Sequence, residues 1–135
     1  MATIIVLNGT SSAGKSSLAI ELQKTLPGNY LNVSIDSFIS MIPDKSFDEK
    51  IEGVVTAMGK TVGALANENN NIILDTVLYD PKRRCRELQK ELKNHKVIWV
   101  KVVCSNINEL NRREADRGDR PLGVAESQMG IVLSI

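Results

Sequence analysis

Two rhythms of apolar residues alternate along the chain. Ile4, Ile5, Val6 and Leu7 form an unbroken run that predicts a buried strand, and Leu18, Leu22 and Leu26 then recur every fourth residue, a helix ended by Pro27-Gly28. Leu31 to Ile35 predicts a second strand. Ser46 opens S-F-D-E, a capping box with Glu49, and Phe47, Ile51, Val54, Val55, Met58, Val62 and Leu65 follow at three- and four-residue steps, the core-facing stripe of a long helix. Gly53, Gly59 and Gly63 weaken that helix by up to about 1 kcal/mol each relative to alanine and permit another element to approach closely. The polar tract Asn67 to Asn71 is a turn, and Ile72 to Leu74 is a third strand ending in Asp75.

Asp80-Pro81 reads as an N-cap with proline at the first helical position; Cys85, Leu88 and Leu92 give one apolar face, and Asn94 is the stop. Lys96 to Val103 is a fourth strand so continuously apolar that both faces are expected to be covered. Ser105 can cap a last helix through Glu114. Such alternation predicts an α/β fold with a parallel sheet, helices on both sides and right-handed crossovers.

Composition narrows the reading. The 135 residues suit one domain, and seventeen basic against sixteen acidic side chains give a net charge of +1 without long runs of one sign. Neither nucleic-acid nor membrane binding is suggested, and the first strand begins too early for a signal peptide, so a cytoplasmic protein is expected. Cys85 and Cys104 lack metal or disulfide spacing and read as packing residues; His95, at a helix stop, reads as a cap or a solvated side chain rather than a ligand.

The chemistry lies between the first strand and its helix. Gly9 and Gly14 bracket four residues and precede Lys15 and Ser16, the pattern G-x-x-x-x-G-K-[ST] in its required strand-to-helix context. The segment Gly9, Thr10, Ser11, Ser12, Ala13, Gly14, Lys15, Ser16, Ser17 is therefore a candidate phosphate cradle. The glycines allow the backbone to wrap an anion, the helix start attracts it, Lys15 reaches the β and γ phosphates, and Ser16 can ligate magnesium. Asp36, after the second strand, is either a general base or a helix N-cap. Asp75 is a magnesium ligand or a turn former. Four arginines in nine residues, from Arg112 to Arg120, suggest a lid over about 111–123, or else a solvated helix face.

Assembled, these residues resemble the chloramphenicol phosphotransferase-like family of small phosphate-loop kinases. The likeness runs from Ile4 to about Gln128 through LNGTSSAGKSS, IDSFISMIP, EGVVTAM, IILD, VIWVKVVC, READRGDR and G-V-A. It implies a three-layer sandwich with strand order 2-3-1-4-5, of which this chain is expected to hold 2-3-1-4, since it ends at Ile135 before the family's fifth strand and adenine loop. It also implies ATP and Mg2+, with γ-phosphate transfer to a hydroxyl of chloramphenicol. Asp36 becomes the base, and Lys15, Arg113, Arg117 and Arg120 act on the transferred group.

Only eight residues separate Pro43 from Glu52, where the drug-modifying relatives carry a longer insertion, and Thr76 replaces an acid that can follow the strand-end Asp. The expected function is an ATP-dependent kinase of a small hydroxylated compound; the alternatives are a nucleotide-binding protein without turnover and an ATP hydrolase or switch. The apolar tail Ser127 to Ile135 predicts cover for the fourth strand, by packing on it or by forming a homodimer.

Overall fold

Four apolar runs meet side by side in one parallel sheet, where each satisfies its backbone groups on a neighbour. In the computed structural model, which describes residues 1–10 and 14–103, the strands are β1 (Thr3–Gly9), β2 (Tyr30–Ser34), β3 (Asn71–Thr76) and β4 (Lys96–Val102). Their order is β2-β3-β1-β4, as expected, with every pair parallel. The connecting helices are α1 (Lys15–Thr25), α2 (Ile35–Ile39), α3 (Phe47–Asn67) and α4 (Pro81–Glu91). The arginine segment, the last helix, Cys104 and the tail lie outside the described residues, as do Ser11, Ser12 and Ala13.

Strand periodicity sorts the core into two layers. Ile4, Val6, Ile72 and Leu74 face Met58, Val62 and Ala66 of α3 together with Leu88 and Leu92. Ile5, Leu7 and Ile73 face the other way, onto Ala19 and the stripe Leu18, Leu22, Leu26 of α1. Each fully buried aliphatic side chain contributes about 1.5–3 kcal/mol relative to exposure. Helices therefore cover both faces of the sheet, and among the described residues no helix is long and apolar enough to cross a membrane.

Several local expectations change. The stripe of α3 is buried only in its second half: Met58 and Val62 are sealed, whereas Phe47 is 40% exposed. Gly63 is where α4 comes close, since a Cβ there would lie 3.3 Å from Glu91, while nothing approaches Gly53. Ser46 is the residue before α3, but its side chain makes no capping bond. The chain enters from a 3-10 turn in which the Ser46 N–H already donates to the Pro43 carbonyl, so its backbone is not in the extended state that presents a cap. Asp80 likewise precedes α4 without capping it, because its φ of 52° is left-handed.

Among the described residues β4 is not covered on both faces, with Ile98 and Trp99 each 39% exposed. It is flanked only by β1 among the described residues, while the helices centre on the inner strands. His95 is neither cap nor solvated side chain but a tie. Its Nδ1 accepts from the Ala2 N–H at 3.0 Å, which leaves Nε2 to donate to Asn67 Oδ1 at 2.9 Å. Cys85 packs half-buried on the α3–α4 core, and burial pushes its thiol pKa up, as an inert packing residue requires.

Candidate phosphate-binding site

The site is built where β1 runs out. Gly9 is its last residue, and a Cβ there would meet the Val102 carbonyl oxygen at 2.3 Å. Gly9 was expected to serve the loop's wrap; the structure gives it a second reason, the close passage of β4. Gly14 is the conformational glycine: at φ 99° it turns the chain in the left-handed region directly into α1. The helix starts without a side-chain cap and without an acidic residue in its first turn, so the turn itself carries no negative side chain against an anion.

Lys15 and Ser16, first in α1, are held differently. The Lys15 ammonium is buried and donates to the Thr10 carbonyl at 3.1 Å, which folds it back toward the end of β1. The Ser16 hydroxyl donates to Asp75 Oδ2 at 3.0 Å. Sheet register explains that second contact. Leu7 pairs with Asp75 on β3, and Asp75 projects to the α1 face with Ile73, where the first turn of α1 meets it. Asp75 is 5% exposed.

Among the described residues no three His, Cys, Asp or Glu side chains cluster as a metal cage. The Ser16 hydroxyl and the Asp75 carboxylate nevertheless form a hard-oxygen pair suited to magnesium, which commonly takes one or two protein carboxylates and completes its shell with phosphate and water.

Asp36 sits at the same end of the sheet. Ser34, two residues before it, is opposite Asp75 in the β2–β3 register. Asp36 is not the N-cap of this segment: Ser34 is, accepting from the Asp36 N–H at 3.2 Å. The strand ends one residue earlier than the apolar pattern suggests, so Asp36 falls inside the first turn with its carboxylate exposed.

A second cluster on the opposite face was not anticipated. Arg84 of α4 is buried and donates to Thr56 Oγ1 (3.0 Å), Glu87 (2.8 Å) and Glu52 (2.9 Å), while Arg83 pairs with Glu52 and Glu87. Burial alone would raise the Glu87 pKa, but the Arg84 hydrogen bond and charge, then those of Arg83, outweigh it and hold the carboxyl below its ordinary value. The i,i+3 and i,i+4 spacing of Glu87 from the arginines was a readable signal; Glu52, on another helix, had none. Beside this cluster a cavity of about 160 Å³ opens between α3 and α4, lined by none of the candidate site residues. Asn8 was also missed: its buried Oδ1 accepts from the Leu78 N–H at 3.1 Å and pins the exit of β3.

A family model described as chloramphenicol phosphotransferase-like protein matches residues 2–134. No protein of curated function matches the chain in sequence. Solved structures share the fold at low identity. The Pnkp1/Rnl/Hen1 RNA repair complex superposes with a TM-score of 0.76 at 17% identity, over 98% of this chain and 44% of that one. A putative kinase from Chloroflexus aurantiacus J-10-fl gives 0.72 at 17%, over 95% and 75%. Shikimate kinase from Acinetobacter baumannii, in complex with shikimate, gives 0.61 at 18%, over 100% and 76%. This chain thus spans less than half of the first of these and about three quarters of the others.

Proposed function

The chain belongs to the chloramphenicol phosphotransferase-like family, and from that premise we propose that it is a kinase that moves the γ-phosphate of ATP to a hydroxyl group of a small molecule. The observation that carries the reading is the Ser16–Asp75 contact of 3.0 Å beside a buried Lys15, at the head of a helix entered through a left-handed glycine.

In this reading Lys15 exchanges its Thr10 contact for phosphate oxygens, and the uncapped first turn of α1 supplies N–H donors to the same anion. Ser16 and Asp75 would hold a magnesium ion, whose charge neutralises the phosphates when it is bound. Asp36 takes the proton of the acceptor hydroxyl as its oxygen bonds to the γ-phosphorus. The bond from that phosphorus to the bridging oxygen breaks, and ADP leaves. Arg113, Arg117 and Arg120 carry the charge of the transferred group from a lid. The acceptor is left as a hydroxylated small molecule, because the stretch from Pro43 to Glu52 is shorter than in the drug-modifying relatives.

ADP release, measured with ATP, magnesium and a panel of alcohols that includes chloramphenicol, tests the proposal. ADP is expected only with an acceptor, and Asp36→Asn should lower turnover about 10²-fold or more while ATP affinity persists. Equal ADP release without any acceptor would make the protein a hydrolase. Retained turnover in Asp36→Asn would remove the base.

A further inference from the structure

The apolar stripe of α3 is longer than the core it serves. Val55, Met58, Val62, Leu65 and Ala66 belong to the layer between α3, α4 and the sheet, whereas Phe47, Ile51 and Val54 stand outside it among the described residues. Phe47 is exposed, and Ile51 and Val54 are half-buried. A helix that buries only part of its stripe in the protein leaves the rest as a contiguous apolar surface.

Topology fixes what that surface faces. α3 leads into β3 through residues 68–70, so the two run antiparallel and α3 starts where β3 ends. Val55 and Met58 line one cavity with Leu78 and with Thr76, the last residue of β3, which sets this level of the helix beside the strand's carboxyl end. Phe47, eight residues before Val55 in α3, is about 12 Å farther out. The first turns of α3 therefore overhang the sheet, with their apolar side toward the crevice beyond the strand ends, where ligands of open parallel sheets bind. Ser16, Asp75 and Asp36 lie at that end. Asp36 is in the first turn of α2, which packs on α3 and whose Ile35 shares a core cluster with Leu78.

Polar side chains of the neighbouring turns are engaged within the protein. Ser34 accepts from the Asp36 N–H, Ser40 donates to the Ser37 carbonyl, Thr56 accepts from Arg84, and Glu52 pairs with Arg83 and Arg84. A site that selects polyols needs side chains set to bond their hydroxyls, whereas an apolar wall selects by carbon surface.

We infer that the overhang of α3 is the wall against which the acceptor lies, that Phe47 is a specificity-determining residue, and that the acceptor is an alcohol with an apolar carbon skeleton rather than a polyol. The wall's part in phosphoryl transfer rests on the kinase reading above. With the skeleton against Phe47 and Ile51, the hydroxyl is left for Asp36.

Cyclohexylmethanol and glucose, alike in ring size and hydroxymethyl group and differing in the ring hydroxyls, are the probes. Each is given with ATP and magnesium to the full chain, to Phe47→Ser and to Phe47→Leu. ADP release is expected to favour cyclohexylmethanol in kcat/KM. Phe47→Ser should raise the KM for that alcohol about tenfold or more, the scale of a lost apolar contact, while the KM for ATP and the melting temperature stay unchanged. Phe47→Leu should restore most of the loss. A preference for glucose, or an unchanged KM for cyclohexylmethanol in Phe47→Ser, would overturn the inference. So would a change of mass by light scattering in that variant in place of the KM effect, which would give the wall to a second copy. If neither alcohol releases ADP above the rate without acceptor, the kinase reading fails by itself and binding decides the wall. Cyclohexylmethanol, titrated in the presence of an ATP analogue, should then shift the methyl NMR signals of Ile51 saturably, and more weakly in Phe47→Ser; no shift would overturn the assignment.

Discussion

The two faces of the sheet are built to different ends. Toward α1 the buried polar groups are in contact with partners across the site, Lys15 with Thr10 and Asp75 with the exposed Ser16, and among the described residues four buried apolar side chains support them. Toward α3 and α4 the described residues bury twelve apolar side chains in one cluster, seal an arginine between two glutamates, and leave a hydroxyl unpaired. An orphaned buried hydroxyl costs about 1–3 kcal/mol, which a thick apolar layer offsets more easily than a thin one. Among the described residues, fully buried apolar side chains are therefore concentrated on one face, and the groups suited to phosphate chemistry on the other.

The comparison breaks first at Leu92, 1% exposed on the thick face. Leu92→Ala should cost about 2–5 kcal/mol in urea unfolding, and Leu22→Ala, on the half-buried stripe of α1, clearly less. Equal costs would mean that the faces share the load. Lys15→Met keeps the buried stem and removes the charge. It should weaken ATP binding about 10–100-fold by calorimetry while the melting temperature changes by only about 2 °C. A large loss of melting temperature would make Lys15 a folding residue instead.

The smallest effect is electrostatic. Glu87 has a depressed pKa when folded, so its share of stability is complete above the ordinary glutamate value of about 4.3 and is lost as pH falls through the lower folded value. Glu87→Gln should flatten the acid limb of a stability–pH curve below about pH 4.3 and leave its slope at neutral pH unchanged. The pair is partly solvated, so the difference is small.

What could be read from the sequence was what repeats or what binds locally. The β1 run, the α1 stripe and the loop between them carry their own periodicity and glycines; the parallel sheet followed from alternation, and its strand order from the family resemblance. Asp36 kept its place, but its local role went to Ser34, because the end of β2 depends on pairing with β3 rather than on where apolar residues stop. Ser46 and Asp80 had the composition of caps without the backbone state, which is set by the turns that deliver them.

The tight approach at Gly9, the His95 tie and the Thr76 cavity each need two distant segments in contact. No single stretch of sequence encodes such a meeting. The thin cover of β4 escaped for the same reason: a continuous apolar run says what a strand tolerates, and position in the sheet decides what it receives.

Ser16 and Asp75 are 59 residues apart in the chain. During synthesis the loop and its helix leave the ribosome well before the strand that completes the site, and the β1–β3 pairing must close everything in between. Such long-range closures are the slow events of folding, since chain entropy is lost before contacts compensate. A ligand that grips both residues acts only on chains that have finished this closure, and it stabilises them by mass action. A nucleotide bound at this pair would then favour newly made chains in which the closure is complete.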